Sequence, residues 1–331
     1  MDSRTWRPLL NLDIRCGSSL HMDLLDESIQ CVVTSPPYWG LRKYDGQQDS
    51  GGFVYGLEKT PELYVEHTVL FLREIRRVLK DDGCVFWNVG DSYAGGGPHH
   101  GDKNLGKSGT NRGSISGIDR FPVGLKPKDL ALIPFRVALA AQMDGWWVRS
   151  DIIWAKPNPM PESVRDRPTS SHEHIFMFTK SKDYYWDQDA VREPSVSDHP
   201  SGNGFKREAR VTYQNQDGSA RGRDEQWVDV GGARNIRDVW TIATQPSGFK
   251  HYAAFPLEIP TRCIKASTRE GDTVLDPFCG TGRTLEAALK LGRNAVGYDL
   301  SERYCEMARQ RCNETQVEMM EGGTRDGNRD S

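Results

Sequence analysis

The string TVLDPFCGTG, residues 273–282, sets a strand-like apolar run, an acidic residue and a glycine-rich turn directly before a helical pattern at 283–291. A chain carrying it is confined to folds in which a strand leaves the sheet through a tight turn and a helix packs back over it. Gly280 and Gly282 let the backbone bend sharply and let a ligand approach with no Cβ in the way. The next strand-like run, AVGYD, ends in Asp299, about 20 residues downstream of Asp276, where a carboxylate can accept hydrogen bonds from both hydroxyls of a ribose. Leu285 stands where the dinucleotide fingerprint needs its third glycine, and no Walker lysine follows Gly282. A ligand with one ribose and no pyrophosphate fits best.

The same alternation recurs along the chain. Short strand-like runs stand at 12–16 and 29–34, and a helix is predicted from Thr60 to Gly83. Thr60 suits the N-cap and Pro61 the first helical position; Phe71, Ile75, Val78 and Leu79 fall on one face; Lys80 and Gly83 suit the C-terminal end. Residues 84–89, 147–156 and 174–180 read as further strands, and a last helix is expected from about Glu302 to Arg311. Together these predict an α/β fold with a mostly parallel sheet covered by helices.

Two stretches break the rhythm. Residues 92–128 are dominated by glycine and polar side chains, a composition that predicts a long mobile loop. Residues 195–237 mix Lys206, Arg207, Arg221 and Arg223 with a similar number of acids. The closing stretch, 316–331, reads as a disordered tail.

With 331 residues, 27% of them charged and 37% hydrophobic, the chain can bury a sizeable core. No apolar stretch approaches the roughly 18 residues of a membrane helix, and MDSRTWRPLL lacks a signal-peptide core, so a cytoplasmic location is expected. Seven scattered cysteines without a CxxC pair predict reduced thiols. A net charge of −3 names no partner, since a slightly acidic protein can still carry a basic groove.

The segment TSPPYWG at 34–40 follows the apolar run IQCVV. Two prolines cannot donate ladder hydrogen bonds, and each restricts the residue before it. A tight turn, a docking site and an active-site loop are all open on this evidence.

Joint occurrence narrows the choice. DPFCGTG with a downstream acidic strand end resembles the S-adenosylmethionine site of DNA amino-methyltransferases, and SPPY resembles their catalytic motif, usually written (D/N/S)PP(Y/F/W). The catalytic motif precedes the cofactor motif, as in the beta class, where the recognition region lies between them. HYAAFPLEIP at 251–260 resembles the segment that closes on the methionine end of the cofactor, which implies His251, Phe255 and Pro256 as contacts beside Asp276, Phe278, Gly280, Gly282 and Asp299. One departure is visible: members often carry Gly-Asp before the catalytic strand, and this chain has Gly17 and Ser18.

The resemblance implies a Rossmann-like, doubly wound α/β fold with permuted motif order. Residues 1–194 would form the catalytic half, 195–237 an inserted recognition region and 238–315 the cofactor-binding half. It implies Ser35 Oγ and the Pro36 carbonyl as acceptors for the hydrogens of an exocyclic amino group, with Pro37 stiffening the turn and no covalent intermediate. The base must leave the duplex at a cost of a few kcal/mol. Tyr38, with Trp39 beside it, would stack on it for about 1 to 3 kcal/mol. Serine in the first motif position is associated with cytosine-N4 and aspartate with adenine-N6, which is the alternative acceptor. The sequence argues against cytosine C5, because that chemistry needs a cysteine nucleophile, typically in a Pro-Cys pair, and no Pro-Cys occurs.

The implied partners are double-stranded DNA and a cognate restriction endonuclease; the oligomeric state is left open. Arg165 and Arg167 are candidate phosphate contacts, with the basic residues of 195–237 as further DNA contacts. His172, Glu173 and His174 do not read as a metal site, because neighbours on a strand face opposite ways and the HExxH spacing is absent. A reading of another class, a nucleic-acid-binding protein on a methyltransferase fold without turnover, is opposed by the intact Ser35-Pro36-Pro37-Tyr38 motif.

Overall fold

The run LDIRC forms β1 (Leu12–Cys16), and IQCVVT forms β2 (Ile29–Thr34), which is buried along its whole length. Continuous burial suits a central strand of a parallel sheet, covered on both faces. In the computed structural model the described residues are 10–40, 53–94, 125–194, 233–245 and 255–325. Residues 1–187 with 238–331 form one compact unit, and 188–237 form a second.

Helix α1 (Pro61–Val78) begins as expected: the Thr60 side chain accepts from Leu63 N at 3.2 Å, and Pro61 opens the first turn. Its buried stripe of Tyr64, Thr68, Phe71, Leu72, Ile75 and Val78 follows helical spacing. Its end departs from the expectation. Leu79 is already extended and opens β3 (Leu79–Val89), so Lys80 and Gly83 lie in a strand. The cause is pairing with β2: Ile29 pairs with Leu79 and Cys31 with Cys84, so the intervening residues of β3 form a bulge. Lys80 is anchored there by Asp272 at 3.2 Å.

The chain continues through α2 (Ile133–Met143), β4 (Trp147–Ala155) and β5 (His172–Thr179). In the second unit, β6 (Glu193–Pro194) pairs antiparallel with β7 (Ala233–Arg234), and Glu193 Oε2 binds Arg234 and Arg237 at 3.3 and 3.0 Å. Residues 195–232 lie outside the described residues. The first unit resumes with β8 (Val239–Thr241), α3 (Glu258–Ser267), β9 (Thr273–Asp276), α4 (Arg283–Lys290), β10 (Asn294–Asp299) and α5 (Glu302–Arg325).

Eight strands form one sheet in the order β1-β10-β9-β2-β3-β5-β4-β8. Every pairing is parallel except those of β5, which runs antiparallel to both β3 and β4. Helices α1 and α2 share a core with Val32, Val85, Trp87, Phe176, Phe178, Leu275 and Val296. Helix α3 packs on β2, and α4 packs on β9 and β10. This is the doubly wound α/β architecture expected from the sequence. Its switch point lies between β9 and β2, where the strand order reverses, and ligands of such sheets bind at the carboxyl ends of the strands there.

The last helix overruns its expected end. Beyond Arg311 the apolar stripe persists as Cys312 and Thr315, both buried, and Gln316 Nε2 reaches Leu10 O at 3.2 Å. The segment expected to be a tail from 316 is therefore helical to Arg325, and residues 326–331 are outside the described set. Most of the glycine-rich stretch 92–128 is also outside it, but its ends are pinned. Ala94 N donates to Asp129 O at 2.8 Å, and Ala131 N to Ser92 O at 2.8 Å. Among the described residues no helix is long and apolar enough to cross a membrane. All seven cysteines are free thiols.

Candidate active site

The carboxyl ends of β2 and β9 meet at the switch point, and one side-chain bond joins them: Thr34 Oγ1 donates to Asp276 Oδ1 at 2.7 Å. The two sequence motifs, carried by residues 242 apart in the chain, are thus direct neighbours. Asp276 is buried, and Oδ1 also accepts from Phe278 N at 3.1 Å. Burial pushes its carboxyl up to about 6.

Asp299 closes the other side of the turn. Its Oδ2 accepts from Gly280 N at 3.0 Å and its Oδ1 from Ser301 N at 2.9 Å; burial raises its carboxyl as well. Each oxygen keeps a second lone pair for a ligand. Gly280 and Gly282 have φ of 50° and 82°, the left-handed region that favours glycine. Packing is a second reason at Gly282, where a Cβ would come within 3.0 Å of Ala308 Cβ on α5. Gly17 N donates to Asp299 O at 2.9 Å, so the Gly17–Ser18 departure sits beside this turn; Ser18 Oγ accepts from Leu20 N. Phe278 is half-buried among Phe71, Tyr55 and Trp87, with ring centroids 5.0, 5.7 and 6.1 Å away. Phe255 and Pro256 are buried at the start of α3, and His251 lies outside the described residues.

The donor set here suits S-adenosylmethionine. Two carboxylates flank the turn, and the cations beside it, Arg283 and Arg311, are held by Glu286 at 3.2 and 3.1 Å, with Arg311 Nε also donating to Thr281 O at 2.8 Å, so the turn presents acceptors for hydroxyl and ammonium groups. The buried helix start at Gly282 carries no side-chain cap.

Ser35, Pro36, Pro37 and Tyr38 leave the end of β2 as a braced loop. Tyr64 OH donates to Pro37 O at 3.0 Å, and Gly40 N donates to Gly56 O at 2.8 Å. A Cβ at Gly56 would stand 2.9 Å from Pro37 Cβ. Among the described residues no donor reaches the Pro36 carbonyl. Ser35 Oγ donates to Tyr38 OH at 3.0 Å, and Tyr38 OH donates to Glu173 Oε2 at 2.5 Å. Asn88 Nδ2, from the end of β3, reaches Tyr38 OH at 2.8 Å, Glu173 Oε2 at 3.0 Å and Ser35 Oγ at 3.4 Å. Lys156, just past β4, forms an ion pair with Glu173 Oε1.

Trp39 corrects an expectation. It is 6% exposed and belongs to the core, with Nε1 donating to Glu58 O at 2.9 Å, so it offers no face to a base beside Tyr38. A hydrophobic ring following a turn finds the core more readily than the cleft. Arg165 is exposed, whereas Arg167 is tied to Glu162 at 2.8 Å and lies 3.8 Å over the Tyr93 ring. Lys206, Arg207, Arg221 and Arg223 lie outside the described residues.

Sequence reasoning missed Thr34, Asn88, Lys156 and Glu173. Glu173 was visible in the HEH run, and strand alternation was the clue: His174 turns to Asp151 at 2.9 Å, while Glu173 turns to the Ser35 loop. Among the described residues no group of three His, Cys, Asp or Glu could hold a metal.

Fold and site together define an S-adenosylmethionine-dependent methyltransferase with a permuted motif order. The N6/N4 DNA methylase family model matches residues 29–310, and the chain belongs to this family, as a beta-class DNA amino-methyltransferase. The type II methyltransferase M.SmaI of Serratia marcescens is 41% identical over 285 residues, covering 86% of this chain and 84% of that protein. M.Cfr9I of Citrobacter freundii is 42% identical over 281 residues, covering 85% and 80%. Among solved structures, the PvuII cytosine-N4-specific DNA methyltransferase shares the fold with TM-score 0.60 and 17% identity, over 94% of this chain and 93% of that one. The S-adenosyl-L-methionine complex of a DNA modification methylase from Thermus thermophilus gives TM-score 0.54 and 22% identity, over 93% and 94%.

Proposed function

We propose that this DNA methyltransferase transfers a methyl group to the exocyclic N4 of cytosine in double-stranded DNA, as the modification enzyme of a type II restriction pair. The observation that carries the reading is the Ser35-Pro36-Pro37-Tyr38 loop at the end of β2, joined through the Thr34–Asp276 bond to the cofactor turn. A neutral serine in the first motif position supports cytosine over adenine. The cytosine-N4 specificity of the PvuII enzyme and the type II relatives support the same assignment and a cognate endonuclease. The enzyme would work in the cytoplasm, with its DNA.

S-adenosylmethionine supplies an electrophilic methyl group on a sulfonium. Asp276, Phe278, Gly280, Gly282 and Asp299 would hold it, with His251, Phe255 and Pro256 at its methionine end. Ser35 Oγ and the Pro36 carbonyl accept the two amino hydrogens of the target base, which favours a tetrahedral nitrogen and frees its lone pair. The bracing of Pro37 by Tyr64 and Gly56 keeps both acceptors in place before the base arrives, so preorganisation does most of the work. Tyr38 is the stacking face for the flipped base, worth about 1 to 3 kcal/mol against an unstacking cost of similar size. Arg165 and Arg167 would contact DNA phosphates, and Lys206, Arg207, Arg221 and Arg223, in the inserted recognition region, would supply further DNA contacts.

The test is methylation of mixed-sequence duplex DNA by the purified protein, digestion to nucleosides and mass spectrometry. N4-methylcytosine is expected. N6-methyladenine would overturn the choice of base, and 5-methylcytosine the mechanism. No transfer with normal cofactor binding would favour a binding protein.

A further inference from the structure

A serine hydroxyl can meet an amino group in two ways. It has one hydrogen and two lone pairs, and only the lone pairs can accept from the amine. The neighbours of Ser35 decide which it presents. Glu173 Oε1 is held by Lys156, and Oε2 accepts from Tyr38 OH at 2.5 Å and from Asn88 Nδ2 at 3.0 Å. A carboxylate has no hydrogen to give, so the single phenolic hydrogen of Tyr38 points to Glu173. The Tyr38 oxygen therefore accepts, from Asn88 Nδ2 at 2.8 Å and from Ser35 Oγ at 3.0 Å. The Asn88 amide cannot be reversed, because its oxygen would then face Glu173 Oε2, acceptor against acceptor.

We propose that Glu173 is a positioning residue for methyl transfer: acting through Tyr38, it commits the Ser35 hydrogen inward and leaves an Oγ lone pair, the one not approached by Asn88 Nδ2 at 3.4 Å, to the target amino group. The donations from Ser35 to Tyr38 and from Tyr38 to Glu173 run in one direction and end on a carboxylate whose other oxygen Lys156 holds, and bonds aligned in this way strengthen one another. Part of the carboxylate's charge is thereby lent to a neutral hydroxyl. The inference rests on the reading of Ser35 as an amino-hydrogen acceptor, and it gives Tyr38 a second task beside stacking.

The test is single-turnover transfer of a labelled methyl group to duplex DNA, with cofactor affinity by calorimetry and melting temperature recorded for each variant. Glu173→Gln and Tyr38→Phe, which keeps the stacking ring, should each slow transfer about tenfold or more, with cofactor affinity within about twofold. In a Ser35→Ala background Glu173→Gln should add less than about twofold, because the group it orients is gone. In a Ser35→Asp background, where the acceptor carries its own charge, its cost should also fall below about twofold. Wild-type transfer by Ser35→Ala would sink the underlying reading of Ser35. Slow Ser35→Ala with fast Glu173→Gln would overturn this inference and leave that reading standing, as would an equal slowing by Glu173→Gln in both backgrounds. If Glu173→Gln lowers the melting temperature, Tyr38→Phe, which preserves the Glu173–Lys156 pair, carries the same comparison.

Discussion

The cofactor turn and the Ser35 loop stand side by side at one sheet edge, yet they are held in opposite ways. Around Asp276 and Asp299 the carboxylates are fixed largely by backbone N–H groups of Phe278, Gly280 and Ser301, all within a short stretch of chain. Around Ser35 the polar partners arrive from elsewhere: Asn88 from β3, Lys156 after β4, and Glu173 from 135 residues beyond Tyr38. The first arrangement is supported by its own sequence. The second exists only once four strands have assembled, so its geometry depends on the register of the whole sheet.

The bond that couples the regions gives the sharpest ways to break this contrast. Asp276 has the largest expected effect. Its carboxyl sits at about 6 in the fold against an ordinary 3.8, so the native state keeps a proton that the unfolded chain has released. Stability therefore falls as pH rises through roughly 4 to 6, by no more than about 3 kcal/mol. Asp276→Asn should remove that decline, read as the pH dependence of the difference in urea unfolding free energy between the two proteins. A flat difference would mean the turn holds an ionised carboxylate.

Thr34→Val comes next. It strips Asp276 Oδ1 of a buried 2.7 Å donor, and the expected loss is about 1 to 3 kcal/mol in the same unfolding assay. A neutral outcome would show that the two regions stand independently. Gly90→Ala attacks only the Ser35 side, since its Cβ would lie 2.9 Å from Tyr38 Cε2. Methyl transfer should fall about tenfold while cofactor affinity, measured by calorimetry, holds. Trp39→Phe is the mildest: losing the bond to Glu58 O should cost about 1 kcal/mol of stability with the methylation rate unchanged. A fall in rate without a fall in stability would return Trp39 to the base-stacking wall.

The same contrast explains what could be read from the chain in advance. Strands β1 and β2 and the turn after β9 carry their signals locally, in apolar runs, an acidic residue and glycines, and each lies where expected. The end of α1 differs because a bulge against β2, a property of the partner strand, turns Lys80 and Gly83 into strand residues. The last helix is longer than expected because Gly322 and Gly323 resemble a tail, while the buried stripe through Cys312 and Thr315 holds the helix to the sheet. Glu173 escapes a sequence reading because its neighbouring histidines raise only the question of a metal site, which their spacing answers in the negative; the direction and register of β5 reveal that it serves the Ser35 loop.

Strand β5 runs against its neighbours, so it delivers its first residues to the active edge, where the parallel strands deliver their last. Its apolar stretch is paired on both sides, Ile175 with Asn88 and Ile152, Phe178 with Val85 and Val148. Insertions or deletions in the exposed segment 157–171 leave that pairing untouched and Glu173 where it is. A single residue gained or lost within 174–179 would instead exchange faces, offering Tyr38 an imidazole in place of the carboxylate. Length variation at this edge is therefore tolerated on one side of Glu173 and excluded on the other.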